Sequence, residues 1–84
     1  MSHTVEIKSG AEKQIFALPR QILRKVHDHI ESLAENPRPL NAKKLAMGLG
    51  WRVRVGNYRI IYIIDDAKNT VTIVRVKHRK DVYR

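Results

Sequence analysis

Trp51-Arg52-Val53-Arg54-Val55-Gly56-Asn57-Tyr58-Arg59-Ile60-Ile61-Tyr62 is the stretch on which the architecture turns. Polar and apolar residues alternate up to Gly56-Asn57, a two-residue turn signal, and a run rich in β-branched and aromatic residues follows it. That pattern predicts a β-hairpin. With Gly56 and Asn57 as the loop, Val55 pairs with Tyr58, Arg54 with Arg59, Val53 with Ile60 and Arg52 with Ile61. Directly opposed residues share a face, and successive residues alternate between faces. Trp51, Val53, Val55, Tyr58, Ile60 and Tyr62 therefore fall on one face, which meets the rest of the core. Arg52, Arg54 and Arg59 fall together on the other. Like charges placed opposite one another destabilise a sheet, whereas the planar guanidinium fork matches phosphate oxygens. The cluster thus points to an anionic ligand; ordinary solvated positions on an exposed sheet face are the plain alternative.

Working outward, Asp65-Asp66-Ala67-Lys68-Asn69 reads as a second turn, and Thr70 to about Val76 as a third β run. Arg75 joins the arginine patch only in one register, which depends on the length of that turn. Lys77 to Arg84 reads as a basic tail. Upstream, Thr4-Val5-Glu6-Ile7 alternates as a half-buried strand does. Ser9-Gly10-Ala11-Glu12 fits a capping box opening a short helix. Pro19 interrupts that helix and suits the first turn of a second one, along which Ile22, Leu23, Val26, Ile30 and Leu33 form an apolar stripe. Asn36-Pro37-Arg38-Pro39 ends it, and Gly48-Leu49-Gly50 leads into the hairpin. The order β-α-α-β-β-β predicts one α+β domain over residues 1–84: a helical hairpin packed on one face of a mainly antiparallel, four-stranded sheet.

Composition narrows the function. The 84 residues contain no cysteine, which excludes a disulfide scaffold, a thiolate zinc site and a cysteine nucleophile. The longest strictly apolar run, Ile60 to Ile64, is far short of a membrane span, and the N-terminus has no apolar signal core. A cytoplasmic protein with no membrane partner is the expectation. The net charge of +9 is uneven: residues 1–37 carry five basic and five acidic groups, and residues 38–84 carry twelve and three. All the excess lies with the sheet and the tail, and the default polyanion is nucleic acid.

The closing segment, Lys77-His78-Arg79-Lys80-Asp81-Val82-Tyr83-Arg84, adds groups that titrate. A neutral histidine accepts a proton near pH 7, and nearby cations favour a tyrosine's phenolate. A basic patch with one such group is sufficient for RNA self-cleavage, with a base on the ribose 2′-OH, cations on the phosphorane and an acid at the leaving oxygen. A tail whose Tyr83 merely packs on the sheet edge fits these residues equally well. Other signals carry less. His27 and His29 diverge on a helix surface, Gly48-Leu49-Gly50 lacks the following helix of a phosphate loop, and Asp65-Asp66 are solvated turn acids. No metal and no cofactor are expected.

Taken together, the helical hairpin ending in Asn36-Pro37-Arg38, the Lys43-Lys44-Leu45 segment, the run from Trp51 to Tyr62 and the ending His78-Arg79-Lys80-Asp81-Val82-Tyr83 resemble the RelE/ParE superfamily of prokaryotic toxins. The likeness spans the whole chain. Its RelE branch implies a metal-independent, ribosome-dependent endoribonuclease, the toxin of a type II toxin–antitoxin system, that cuts mRNA in the ribosomal A site and inhibits translation. The resemblance assigns Arg52 and Arg54 to the basic positions before the turn and Arg59 to the transition-state phosphate. It gives Arg79 to the leaving oxygen or a phosphate, and Tyr83 to the base, with His78 as a second candidate base. Lys43, Lys44, Arg75, Lys77 and Lys80 are expected to add RNA contacts. The implied partners are a cognate antitoxin, the ribosome with its mRNA, and operator DNA only through the antitoxin complex. A ParE-type inhibitor of DNA gyrase and a non-catalytic RNA-binding module are the alternatives.

Overall fold

The hairpin forms in the register its turn dictates. In the computed structural model, which describes residues 2–81, Val55 opposes Tyr58, Arg54 opposes Arg59, Val53 opposes Ile60 and Arg52 opposes Ile61. Gly56 takes φ +61°, the left-handed conformation that this turn requires of its first central residue. The elements are β1 (Thr4–Ile7), α1 (Ser9–Phe16), α2 (Arg20–Glu35), β2 (Lys43–Lys44), β3 (Trp51–Val55), β4 (Tyr58–Asp65) and β5 (Thr70–His78). Single 3₁₀ turns occupy Ala46–Gly48 and Arg79–Asp81. The sheet order is β1-β5-β4-β3-β2, with β1 parallel to β5 and the remaining pairs antiparallel.

Both helices cover one face. Ala11 and Ile15 of α1 and Val26, Ile30 and Leu33 of α2 pack with Val53, Val55, Ile60, Tyr62, Val71, Ile73 and Val76 of the sheet into one core. Ile22 and Leu23, at the start of the predicted stripe, flank that core half-buried. The core positions of β5 break the alternation rule, and the cause lies in its pairing. Asp65 opposes Thr70 and Tyr62 opposes Ile73, but Ile61 opposes Arg75, so Val74 is skipped and forms a bulge. Beyond that bulge Val76 enters the core, while Arg75 and Lys77 turn to the opposite face.

Four expectations need correction. The sheet has five strands, because the two residues of β2 pair with Arg52 and Trp51 of β3; two lysines carry no alternation, so only the pairing reveals the strand. The capping box does not form. Lys8 is the N-cap, extended and bonded through its N–H to the Ile73 carbonyl at 3.0 Å, which leaves Ser9 inside the first turn with no side-chain cap bond. Pro19 occupies the N-cap of α2 rather than its first turn. Lys77 and His78 belong to β5 and not to a tail.

The segment after α2 is tied down at its start. The buried Tyr62 hydroxyl donates to the Pro37 carbonyl at 2.7 Å. The Arg38 guanidinium stacks over Trp51, 5.3 Å from the ring centre, and reaches the Asp66 carboxylate at 2.8 Å. His3 Nε2 lies 3.4 Å from the same carboxylate. Farther along, Gly50 at φ +101° passes so close to the Tyr62 carbonyl that a Cβ would collide with it. These contacts deliver β2 to the edge of β3.

Three outcomes test this account. Deleting Val74 removes the bulge yet leaves Arg75 opposite Ile61 and Val76 opposite Ile60, so cooperative thermal unfolding by circular dichroism is expected to persist. Tyr62→Phe strands the Pro37 carbonyl and is expected to lower stability by about 2 kcal/mol in urea titration. The third concerns acid. Hydrogen bonds from Arg38, and then from His3, hold the Asp66 carboxyl below its ordinary value, while burial raises it slightly. The unfolded chain therefore protonates Asp66 first. The clamp's contribution is present above about pH 4 and is lost as pH falls through the depressed value. Asp66→Asn is expected to flatten that part of the stability-versus-pH curve.

Candidate nucleic-acid interface

Two rows of cations cross the sheet face that the helices leave uncovered. In one, Arg54 of β3 opposes Arg59 of β4, which opposes Lys77 of β5. In the next row toward the middle of the sheet, Lys43 of β2 opposes Arg52, and Ile61 separates Arg52 from Arg75. Neighbouring strands lie about 4.8 Å apart, so the first row sets three positive groups across roughly 10 Å. Arg59 is 3% exposed, a buried guanidinium between two cationic neighbours. Among the described residues the ion pairs gather at Asp66 and along α2, and none is formed by Arg52, Arg54, Arg75 or Lys77. Arg52, Arg54, Arg75 and Lys77 therefore make the face strongly positive.

Where the first row meets the hairpin turn, the surface is concave. A cleft of about 390 Å³ is lined by Arg54, Gly56, Asn57, Tyr58, Arg59, Arg79 and Lys80. The Arg79 N–H donates to the Asn57 carbonyl at 2.7 Å, so the 3₁₀ turn after β5 is hung on the hairpin loop. That bond brings Arg79 and Lys80 to the same cleft as Arg54 and Arg59. The chemistry available is multivalent binding of phosphate oxygens, with guanidinium and ammonium donors around one concavity.

The predicted residues thus divide. Arg54, Arg59, Arg79 and Lys80 share the cleft, and Arg52, Arg75, Lys77 and Lys43 extend its face. Two fall elsewhere. Lys44 opposes Trp51, on the helix side of the sheet. His78 opposes Tyr58, also on the helix side; its ring meets the Tyr58 ring edge-on at 5.1 Å, and its Nδ1 accepts the Lys80 N–H at 3.2 Å. Tyr83 lies outside the described residues. Asn57 and Tyr58 are cleft residues that the reading of the sequence missed. The turn signal placed Asn57 at the loop, but its link to Arg79 depends on tertiary structure. On α2, His27, Asp28 and Glu31 bring their ligating atoms within 4.8 Å of one another, yet all three are exposed, as helix-surface residues are.

The architecture and the sequence both have known counterparts. A model of the family described as the ParE toxin of type II toxin–antitoxin systems (parDE) matches residues 5–83. Toxin RelG of Mycobacterium tuberculosis is 35% identical over 89 aligned positions, which cover 100% of this chain and 99% of that protein. Among solved structures, the RelBE2 toxin–antitoxin complex of M. tuberculosis aligns with a TM-score of 0.83 at 33% identity, over 94% of this chain and 100% of the matched one. The archaeal RelE–RelB complex of Pyrococcus horikoshii aligns with a TM-score of 0.83 at 26% identity, over 94% and 97%.

The two rows make a quantitative expectation for single-stranded RNA. The logarithm of affinity falls with the logarithm of salt concentration by about 0.7 per phosphate neutralised. Arg75→Ala and Lys77→Ala are each expected to reduce that slope by about one such increment in filter-binding titrations, while Lys44→Ala leaves it unchanged.

Proposed function

The chain belongs to the ParE toxin family of type II toxin–antitoxin systems, within the RelE/ParE superfamily, and we propose that it is an endoribonuclease that cleaves mRNA in the ribosomal A site. The observation that carries this reading is the dense cation face ending in a cleft at the hairpin turn. Its likeness to RelG and to RelE–RelB structures supports the RNA-cleaving branch.

In the proposed reaction Arg52 and Arg54 hold the mRNA backbone, with Lys43, Arg75 and Lys80 extending the contact. Arg59, fixed by its burial, bonds the non-bridging oxygens as charge builds on phosphorus. Tyr83 as phenolate takes the proton of the ribose 2′-OH. The 2′ oxygen then bonds to phosphorus and the bond from phosphorus to the 5′ oxygen breaks. A guanidinium surrenders its proton with difficulty, so Arg79 serves as a phosphate contact. Lys77, an ammonium opposite Arg59, gives the proton to the leaving 5′ oxygen. The products are a 2′,3′-cyclic phosphate and a 5′-hydroxyl. This set of side chains supplies charge and proton transfer without calling on a metal. His78, on the helix side, is given no part. A cognate antitoxin holds the toxin inactive in the cytoplasm, with an acidic segment over the arginines, and that complex brings it to operator DNA.

A second reading, inhibition of DNA gyrase, is favoured by the family described as ParE toxins. One experiment separates the two: purified chain is added to ribosomes programmed with mRNA, the 5′ ends are mapped, and gyrase supercoiling is assayed in parallel. Cleavage within the A-site codon is expected. Arg54→Ala and Tyr83→Phe should each slow it by about a hundredfold or more, and His78→Ala should leave it near wild type. Intact mRNA with blocked supercoiling moves the function to gyrase.

A further inference from the structure

β5 outruns its parallel partner. β1 ends at Ile7, opposite Ile73, so from Val74 to His78 none of the described strands lies along that edge of β5. α1 closes part of the edge through Gln14, whose Oε1 accepts the Val76 N–H at 2.8 Å. A concavity of about 430 Å³ lies there, and its lining includes Gln14, Leu18, Tyr58, Val76, Lys77 and His78. It adjoins the cation cleft, because Tyr58 lines both. Lys77, which opposes Arg59 across β4 and β5, borders it as well. We propose that this concavity takes the base of a nucleotide flanking the scissile phosphate and selects bases with a carbonyl acceptor, guanine or uracil, over adenine and cytosine. The inference rests on the reading of the chain as a ribonuclease, and adds a site that chooses where it cuts.

The selectivity follows from what Gln14 has left to offer. A backbone N–H can only donate, so the amide oxygen of Gln14 meets Val76 and the two Nε2 hydrogens are turned elsewhere. Among the described residues no acceptor meets them. The free end of the amide is therefore a pair of donors. Guanine O6 and uracil O4 accept from such a group. The amino groups that adenine and cytosine carry at the same positions are donors, and would leave both sides unpaired. Tyr58 supplies a ring on which a base can stack, and the His78 ring packs edge-on against it at 5.1 Å. Leu18 and Val76 add hydrocarbon to the walls, which suits the flat face of a base and not a phosphate. Phosphate is provided for next door, where Arg54, Arg59 and Arg79 line the cleft. Neighbouring strands lie about 4.8 Å apart, so a nucleotide whose phosphate sits at Arg59 can drop its base over the edge of β5 past Lys77.

Two readouts on the full chain test this. The side-chain amide resonances of Gln14 in ¹⁵N-labelled chain are followed during titration with GMP, UMP, AMP and CMP, which needs no ribosome. Cleavage is then mapped on ribosomes whose A-site codon is permuted at each position. The Gln14 amide is expected to shift with GMP and UMP, which should bind about tenfold more tightly than AMP and CMP. Cleavage is expected to favour guanine or uracil beside the cut by a similar factor. Gln14→Glu keeps an oxygen for the Val76 N–H and exchanges the donors for an acceptor. The preference should then invert, to AMP and CMP and to codons with adenine or cytosine beside the cut; loss of folding cannot mimic an inversion. Tyr58→Leu should weaken all four nucleotides about tenfold while their order stays the same. Equal binding of the four nucleotides, cleavage indifferent to the base beside the cut, or a preference that Gln14→Glu leaves as it was overturns the proposal while the ribonuclease reading stands. Selective shifts at Gln14 in a chain that cuts no mRNA support the base pocket and remove the ribonuclease reading instead.

Discussion

One skipped pair in the sheet, at Val74, decides which face Arg75 and Lys77 occupy. With unbroken pairing from the Asp65–Thr70 end, Arg75 would oppose Ile60 and point into the hydrocarbon packed under the helices. A charge there costs several kcal/mol without a partner. The bulge absorbs one residue, lets Val71, Ile73 and Val76 all reach the core, and brings Arg75 and Lys77 onto the face of Arg52, Arg54 and Arg59. The same irregularity therefore serves packing on one side and cation density on the other. A bulge also increases local twist, and this one sits between the two cation rows and the strand ends near β1.

Charge accumulated in this way works against the fold. Arg54, Arg59 and Lys77 stand opposite one another across three strands, an arrangement that costs stability at each pair. The opposing contributions come from elsewhere. The core of β3, β4 and β5 is rich in valine and isoleucine under two helices, and the Tyr62–Pro37 bond with the Arg38–Asp66–Trp51 cluster ties the segment leading to β2. Those ties sit at the opposite end of β4 from the hairpin turn. The ion pair between Arg38 and Asp66 thus lies away from Arg54 and Lys77.

How much of this could be read from residues alone follows from which rules are local. The hairpin was legible because Gly56-Asn57 fixes its own register, and with it the common face of Arg52, Arg54 and Arg59. The stripe of α2 was legible because helical spacing needs no partner. The bulge was not, since Val74 differs in no chemical respect from its neighbours and its skipping is settled by what packs beneath. β2 was hidden for a similar reason, being created by β3 rather than by any pattern of its own. The placement of His78 with Tyr58, away from the arginines, also required the extension of β5 beyond Val76. The burial of Arg59 had no signal at all, because an arginine in an alternating strand reads as solvated.

The two sides of the molecule respond differently to salt. The cation face of the sheet acts on acidic chains through long-range charge, which salt screens within about 8 Å under physiological conditions. The concavity lined by Ile7, Ile15, Phe16 and Leu23 offers apolar area, which salt does not screen. Contacts made on the sheet therefore weaken as salt rises, while apolar contacts made on the helical side do not.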